Sequence, residues 1–477
     1  MEKTHITARE ENTNMKKLYF ITGSQDLYGE ETLKQVAKDT KQMVSFLNEK
    51  LGDVTEIVWK PTVLNSEGCV AVMQEASADA DCVGVITWMH TFSPAKMWIK
   101  GLQILNKPLC HLHTQANERL PYDSIDMDFM NLNQAAHGDR EYGFICTRLG
   151  VKRQIVVGYY QSEKVLNQLK QFAQIAKALD FSRNLKVAMF GSNMRQVAVT
   201  DGDRVESQIR YGWEVNYYGI GDLVALKNAV TDAQLDAKLA EYREAYTFKT
   251  ENLDAVKEQA RYEIALDTFV QKHGVGAYTD TFEDLYGMEQ LPGLATQRMQ
   301  GKGIGFGGEG DYKTSAMNAV MWKMAEGRKG ATGFMEDYTY DMADELVLGA
   351  HMLEVSPSFA ATKPAIEVHP LGIGGKADPA RLTFGGVQGE GIAVCMIDLG
   401  THFRLVVANI ELIAQPKPMP KLPVGQIMWK IKPSFAEGAK AWIEAGGGHH
   451  TVVSTALTAE DMKLFAKFTD TEIVVIG

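Results

Sequence analysis

The chain has 477 residues, 45% hydrophobic and 23% charged, an ordinary globular composition that is neither disordered nor fibrous and leaves room for about three domains of ~150 residues. Its 49 lysines and arginines against 60 aspartates and glutamates leave a net charge of -11 with no basic run, which argues against a nucleic-acid or acidic-membrane partner. The five cysteines, Cys69, Cys82, Cys110, Cys146 and Cys395, form no C-x-x-C pair, which argues against a disulfide framework and a zinc finger and fits a reducing cytoplasm.

In chain order, residues 1–17 read as a disordered extension: MEKTHITAREENTN is polar and lacks the apolar core of a secretory signal. No later run of ~18 uncharged apolar residues could span a bilayer. From Leu18, KLYFITG, VTEIVWKP, CVGVITWM and PLCHLHT read as buried strands, with Leu33, Val36, Val44, Leu47 and Leu51 at helical spacing between the first two. Ser93 and Pro94 are expected to cap and open the helix AKMWIKGLQIL. This alternation predicts a parallel sheet with helices on both faces over 18–184. A second α/β series from LKVAMFG and WEVNYYG through DYKTSAMNAVMWKMAEG fills 185–330. Beyond Gly330, FMEDYTY, ELVLGAHMLEV, AIEVHPL, ARLTFGG, GIAVCMIDL and FRLVVANIELI are strand-like with few helices between them, so 331–477 is expected to be an antiparallel, β-rich, barrel-like domain.

The loop GKGIGFGGEGD contains G-x-G-x-x-G at Gly303, Gly305 and Gly308, but a helix precedes it where a dinucleotide fold needs a strand. Gly305 and Gly310 have P-loop spacing, yet Asp311 stands in place of lysine and Glu309 puts negative charge where a phosphate would sit. The glycines are better read as letting the turn fold tightly so that Glu309 projects before a helix. His351 lies in an otherwise apolar strand-like run, and His449–His450 follow three glycines; strand alternation lets only one of that pair reach a given site. With Glu336 of FMEDYTY, the set Glu309, Glu336, His351 and His450 has the mixed hardness suited to Mn²⁺ or a similar octahedral ion with open positions. His90 and His137 stand at strand ends or loops, and GSQDLYG puts Gln25, a donor and acceptor, at the carboxyl end of the first strand, where open α/β sheets bind ligands.

Ten segments in order, GSQDLYG, WMHTFSPAKMW, SIDMDFMNLNQAAHG, NMRQVAVTDGD, TFEDLYG, GFGGEGD, FMEDYTY, LGAHMLEV, GIGGKADPARL and GGGHHTV, resemble the L-arabinose isomerase family, and the match runs from Leu18 to Ile476. The resemblance implies two α/β domains and a C-terminal β-rich domain of the L-fucose isomerase type. It implies a cytoplasmic aldose–ketose isomerase converting L-arabinose to L-ribulose, with D-galactose to D-tagatose as a side activity, through a metal-stabilised enediolate. It places one Mn²⁺ per subunit on Glu309, Glu336, His351 and His450, with Glu309 and Glu336 as the acid/base pair. It lines the sugar pocket with Gln25, Leu27, Tyr28, Phe92, Gln134, His137, Met194, Phe282 and His449, and implies a homohexamer with active sites at subunit interfaces. A glycosidase would also use two carboxylates, but would not call for two histidines and a metal. A non-catalytic sugar-binding protein would leave His351 and His450 without a role.

Overall fold

The computed structural model describes residues 15–477; of the extension expected at 1–17, residues 1–14 lie outside the described residues, and Lys17 already opens the first strand. Two compact units divide the chain, the first ending at Asp180 and the second spanning Phe181–Gly477. All five cysteines are free and buried. No helix among the described residues is long and apolar enough to cross a membrane.

In the first unit, β1 (Lys17–Gly23), β2 (Glu56–Trp59), β3 (Cys82–Met89), β4 (Leu109–His113) and β5 (Arg153–Val157) form a parallel sheet in the order β2-β1-β3-β4-β5. All eight residues of β3 are buried, as a central strand covered on both faces requires. The helix Gly29–Leu51 buries Val36, Met43, Val44, Leu47 and Leu51 along one stripe, with Leu33 half-buried at its margin. The expected cap at Ser93 is not made. The Ser93 hydroxyl instead accepts the Trp98 indole N–H at 3.0 Å, and Pro94 itself takes the cap position of a 3₁₀ turn at Ala95–Trp98. Because β2 and β3 flank β1 on opposite sides, the carboxyl ends of β1 and β3 form the switch point of this sheet.

The second unit holds two sheets. β6 (Lys186–Phe190), β7 (Glu214–Tyr218), β9 (Ala277–Asp280) and β10 (Gly305–Gly307) pair in parallel in the order β10-β9-β6-β7, while β8 (Thr247–Phe248) joins the other sheet. That sheet contains β11 (Thr332–Asp341), β12 (Leu346–Ala350), β13 (Ala365–Val368), β14 (Ala380–Gly385), β15 (Gly389–Asp398), β16 (Phe403–Ile413), β17 (Gly425–Ile431), β18 (His450–Ser454) and β19 (Glu472–Ile476). The run β16-β15-β18-β11-β12-β17 is antiparallel throughout and closes on itself through β16–β17. The C-terminal region is thus a closed six-stranded barrel, and closure removes the edges an open sheet would expose. Val347, Ala393, Val406, Ala408, Trp429 and Val453 belong to its core.

Candidate metal centre

Register brings three of the four expected ligands together. On β11, Glu336 stands opposite His450, the first residue of β18, and opposite Ala350, the last residue of β12. His351 follows Ala350 immediately; it lies just past the end of a strand rather than on one as expected. Glu336 sits mid-strand, so its position is set by ladder hydrogen bonds on both sides.

The imidazoles are aimed by carboxylates. His351 Nδ1 meets Glu354 Oε2 at 2.5 Å, and the same oxygen accepts the Leu353 N–H at 2.8 Å. His450 Nδ1 meets Asp311 Oδ2 at 3.2 Å. Each ring thereby presents Nε2 outward: His351 Nε2 lies 3.8 Å from Glu336 Oε2, and His450 Nε2 lies 3.8 Å from Glu309 Oε2. His450 Nε2 is buried and has no hydrogen-bond partner, a costly state unless a lone-pair acceptor arrives. Phe334 packs edge-on to both rings, at 4.9 Å from His351 and 5.2 Å from His450.

Glu309 reaches this place through a backbone turn with φ 60°, in a region that side chains other than glycine seldom adopt. The turn is held by the Met194 N–H, which donates to the Glu309 carbonyl at 3.0 Å. Gly308 leaves the space beside His351 open, since a Cβ there would stand 3.5 Å from His351 Nε2. Two residues on, Asp311 caps the helix Tyr312–Met324, accepting from Thr314 N–H at 3.1 Å and from the Thr314 hydroxyl at 2.8 Å. Burial works against the charged form of Asp311, but Lys313 at 3.2 Å and the bond to His450 outweigh it and hold its carboxyl well below the usual range. Glu309 follows the same pattern: burial raises it, and the hydrogen bond from His449 with the charges of His450 and His351 brings it below its ordinary value. For His351, burial lowers the imidazole and Glu354 more than offsets this, so its pKa is raised.

The paired histidines depart from expectation. β18 begins at His450, so strand alternation does not govern His449, and both rings reach Glu309, His449 Nε2 at 3.3 Å and His450 Nε2 at 3.8 Å. Ligand atoms of Glu309, His449 and His450 all lie within 4.8 Å of one another. His449 is 37% exposed at its side chain, and no carboxylate fixes its Nδ1 among the described residues, so it lacks an orienting partner such as Glu354 gives His351 and Asp311 gives His450.

Of the other expected residues, Phe282 stacks on His351 at 6.3 Å, and Met194 is tied to Glu309 by its backbone. Gln25, Leu27, Tyr28, Phe92, Gln134 and His137 belong to the first unit. There Gln25 stands two residues past the end of β1, Leu27 is 85% exposed, and the Tyr28 hydroxyl donates to Gln134 Oε1 at 3.4 Å. The Gln134 N–H bonds the His90 carbonyl past β3, and the His137 N–H bonds the Gln134 carbonyl. Gln25, Tyr28 and Gln134 thus gather at the switch point. His90 does not join them through its ring: it is fully buried, stacked on Trp88, and bonded to Asp39 at 2.9 Å.

Three family models cover the chain: the L-arabinose isomerase N-terminal domain over residues 12–184, its central domain over 186–327 and its C-terminal domain over 331–472. An L-arabinose isomerase of Oceanobacillus iheyensis is 50% identical over 97% of this chain and 98% of its own length. Those of Geobacillus stearothermophilus and Clostridium beijerinckii are each 52% identical over 97% of this chain and 94% of their own lengths. The chain belongs to the L-arabinose isomerase family. It is therefore an enzyme of the isomerase class.

The donor set of this family member fits a divalent cation. Two imidazoles with Nε2 free and Nδ1 held by carboxylates are the arrangement metal-bound histidines adopt, and two further carboxylates make the set hard enough for an ion of the Mn²⁺ kind. Sequence reasoning missed Glu354, Asp311 and Asp280. Asp311 carried a readable signal, an aspartate directly before a helix; Glu354, three residues after His351 in HMLEV, carried none. Asp280, at the end of β9, is buried, and burial together with the Glu354 charge pushes its carboxyl up to about 7.

Proposed function

We propose that this chain is a cytoplasmic aldose–ketose isomerase interconverting L-arabinose and L-ribulose, with D-galactose to D-tagatose as a side reaction, and that one Mn²⁺ per subunit is held by Glu309, Glu336, His351 and His450. The observation that carries the reading is the convergence of two carboxylate-fixed imidazoles, one with an orphaned buried Nε2, on Glu309 and Glu336 in a chain about half identical to proteins named for that reaction. When bound, the cation supplies positive charge to the sugar oxygens as negative charge builds on them.

The residues of the chain supply the proton transfers. In the open-chain aldose a proton leaves C2 for a glutamate carboxylate and is returned at C1, while the hydroxyl proton passes from O2 to O1. Glu309 and Glu336 form the acid/base pair. Glu354 and Asp311 keep the imidazoles in place, and Phe334 packs against both rings. His449, partly exposed and bonded to Glu309, is suited to hold a sugar hydroxyl. Gln25, Leu27, Tyr28, Phe92, Gln134, His137, Met194 and Phe282 complete the sugar pocket, which in the proposed homohexamer is built at subunit interfaces. The test is incubation of EDTA-treated protein with L-arabinose with and without Mn²⁺, assayed for ketose. Ketose formed only with Mn²⁺ supports the reading, and no ketose under either condition overturns it.

A further inference from the structure

β11 and β18 have a second face. Where Glu336 and His450 point to the metal centre, the next residues, Asp337 and Thr451, line a separate cavity of about 210 Å³ bounded by barrel strands and the helix Phe435–Glu444. A bulge at Tyr338 shapes it: Asp337 pairs with Gly349 and Thr339 with Leu348, so one residue of β11 is extra. Plain alternation would put Asp337 and Tyr340 on opposite faces, whereas the bulge brings them to the same one. The Tyr340 hydroxyl there donates to Asp337 Oδ2 at 2.6 Å.

The remaining wall is apolar. Gly349 lets the Trp429 ring lie across β12, since a Cβ there would fall 1.7 Å from it. Phe435 stands edge-on to Tyr340 at 5.1 Å, and small Ala393 and Ala408 leave room beneath. Polar atoms on the wall are already engaged: Thr451 Oγ1 donates to the Met335 carbonyl at 2.8 Å, and Trp442 Nε1 to the Gly448 carbonyl at 3.0 Å. Asp337 has no lysine or arginine partner among the described residues; the Tyr340 hydroxyl is the side-chain group that meets it. A carboxylate with no lysine or arginine beside it, in a cavity lined by Tyr340, Trp429, Phe435 and Trp442, complements a positive head on an apolar body. Its volume exceeds the ~150 Å³ cavity that holds benzene, enough for a ring and a short chain.

We propose that this cavity binds a small monoammonium ion with an apolar body, the ammonium on Asp337 and the body against Trp429, Phe435 and Trp442. The site is distinct from the metal centre, being walled off from it by β11 and β18, and its occupancy does not depend on the isomerase reading.

The test is calorimetric titration of the full-length, Mn²⁺-loaded protein with 2-phenylethylammonium, alongside the neutral 2-phenylethanol and the anionic phenylacetate. The expected result is saturable binding of the ammonium at least about tenfold tighter than the alcohol, no binding of the acid, and no displacement by saturating L-arabinose. Asp337→Asn should weaken the ammonium at least tenfold while leaving the alcohol unchanged. Ile443→Arg, at a cavity-lining position that is 75% exposed and so tolerant of substitution, should place a fixed cation at the cavity and abolish binding. Equal affinity for ammonium and alcohol, displacement by the sugar, or unchanged affinity in folded Ile443→Arg protein would overturn the proposal.

Discussion

Glutamine at position 336 keeps the side-chain shape but neither takes up a proton nor ligates as well as a carboxylate. Because Glu336 is fixed by ladder bonds to two strands, Glu336→Gln should leave the circular dichroism spectrum unchanged while kcat falls at least ~10²-fold. Near-normal turnover in metal-loaded protein would move the acid/base role elsewhere. Asp311 acts at one remove, through His450 Nδ1 and the helix N-terminus. Asp311→Asn keeps the cap but loses the charge opposite the imidazole, so Mn²⁺ affinity should drop ~10–100-fold, the usual cost of removing an orienting partner. Titration calorimetry with Mn²⁺ reads this directly, and an unchanged affinity would show that Phe334 packing alone positions the ring. These residues were unequally legible. Glu309 stood out in its glycine loop, whereas nothing in HMLEV sets Glu354 apart from any solvated carboxylate. For His449 the period-2 argument failed because the strand starts one residue later.

The helices Asp232–Ala245, Leu253–His273 and Gly293–Gly301 are joined by a buried charge cluster. Glu263, with no exposed side-chain surface, meets Arg298 at 2.6 Å, Lys302 at 2.8 Å and Lys238 at 3.4 Å. Burial opposes its ionisation, yet Lys302, Arg298 and Lys238 bring it down to about 2. A carboxyl depressed on folding contributes stability that is present above its unfolded value and lost as pH falls through its folded one. The parent protein should therefore lose stability between about pH 4.5 and 2. Glu263→Gln should flatten that dependence and, at pH 7, cost about 3 kcal/mol, the low end for a broken buried pair, since Arg298 and Lys238 keep Glu241 and Lys302 keeps Asp267; urea unfolding followed from pH 7 down to pH 3 measures both. Among the elements, buried runs such as β3 and β16 declared themselves, because strands covered on both faces read as continuous apolar stretches. β17, which closes the barrel onto β16, did not: Gln426 and Lys430 break its apolar run, and Pro420, Pro423 and Pro433 around it read as loop.

At the scale of the molecule, a cation that binds only the folded donor set stabilises it by mass action, by about 2.7 kcal/mol at a hundredfold excess over Kd. EDTA treatment should lower the thermal midpoint, and Mn²⁺ should restore it; an unmoved midpoint would mean that these groups bind no metal. In the proposed hexamer, chains carrying Gln25→Ala and Phe92→Ala in the first unit should complement chains carrying Glu309→Gln in the second. Partial activity is expected after co-assembly, and none in confirmed mixed oligomers would show that each chain builds its own site. The pairing of β11 with β18 also sets when the centre can first exist. Asp311 and His450 are 139 residues apart, and contacts of such separation form only after a large loop has been closed. At ~5–20 residues per second, a nascent chain displays Glu309 and Asp311 for on the order of ten seconds before His450 is made. If the centre takes a cation as proposed, capture can follow only the synthesis of β18, the last strand that the barrel needs around its centre.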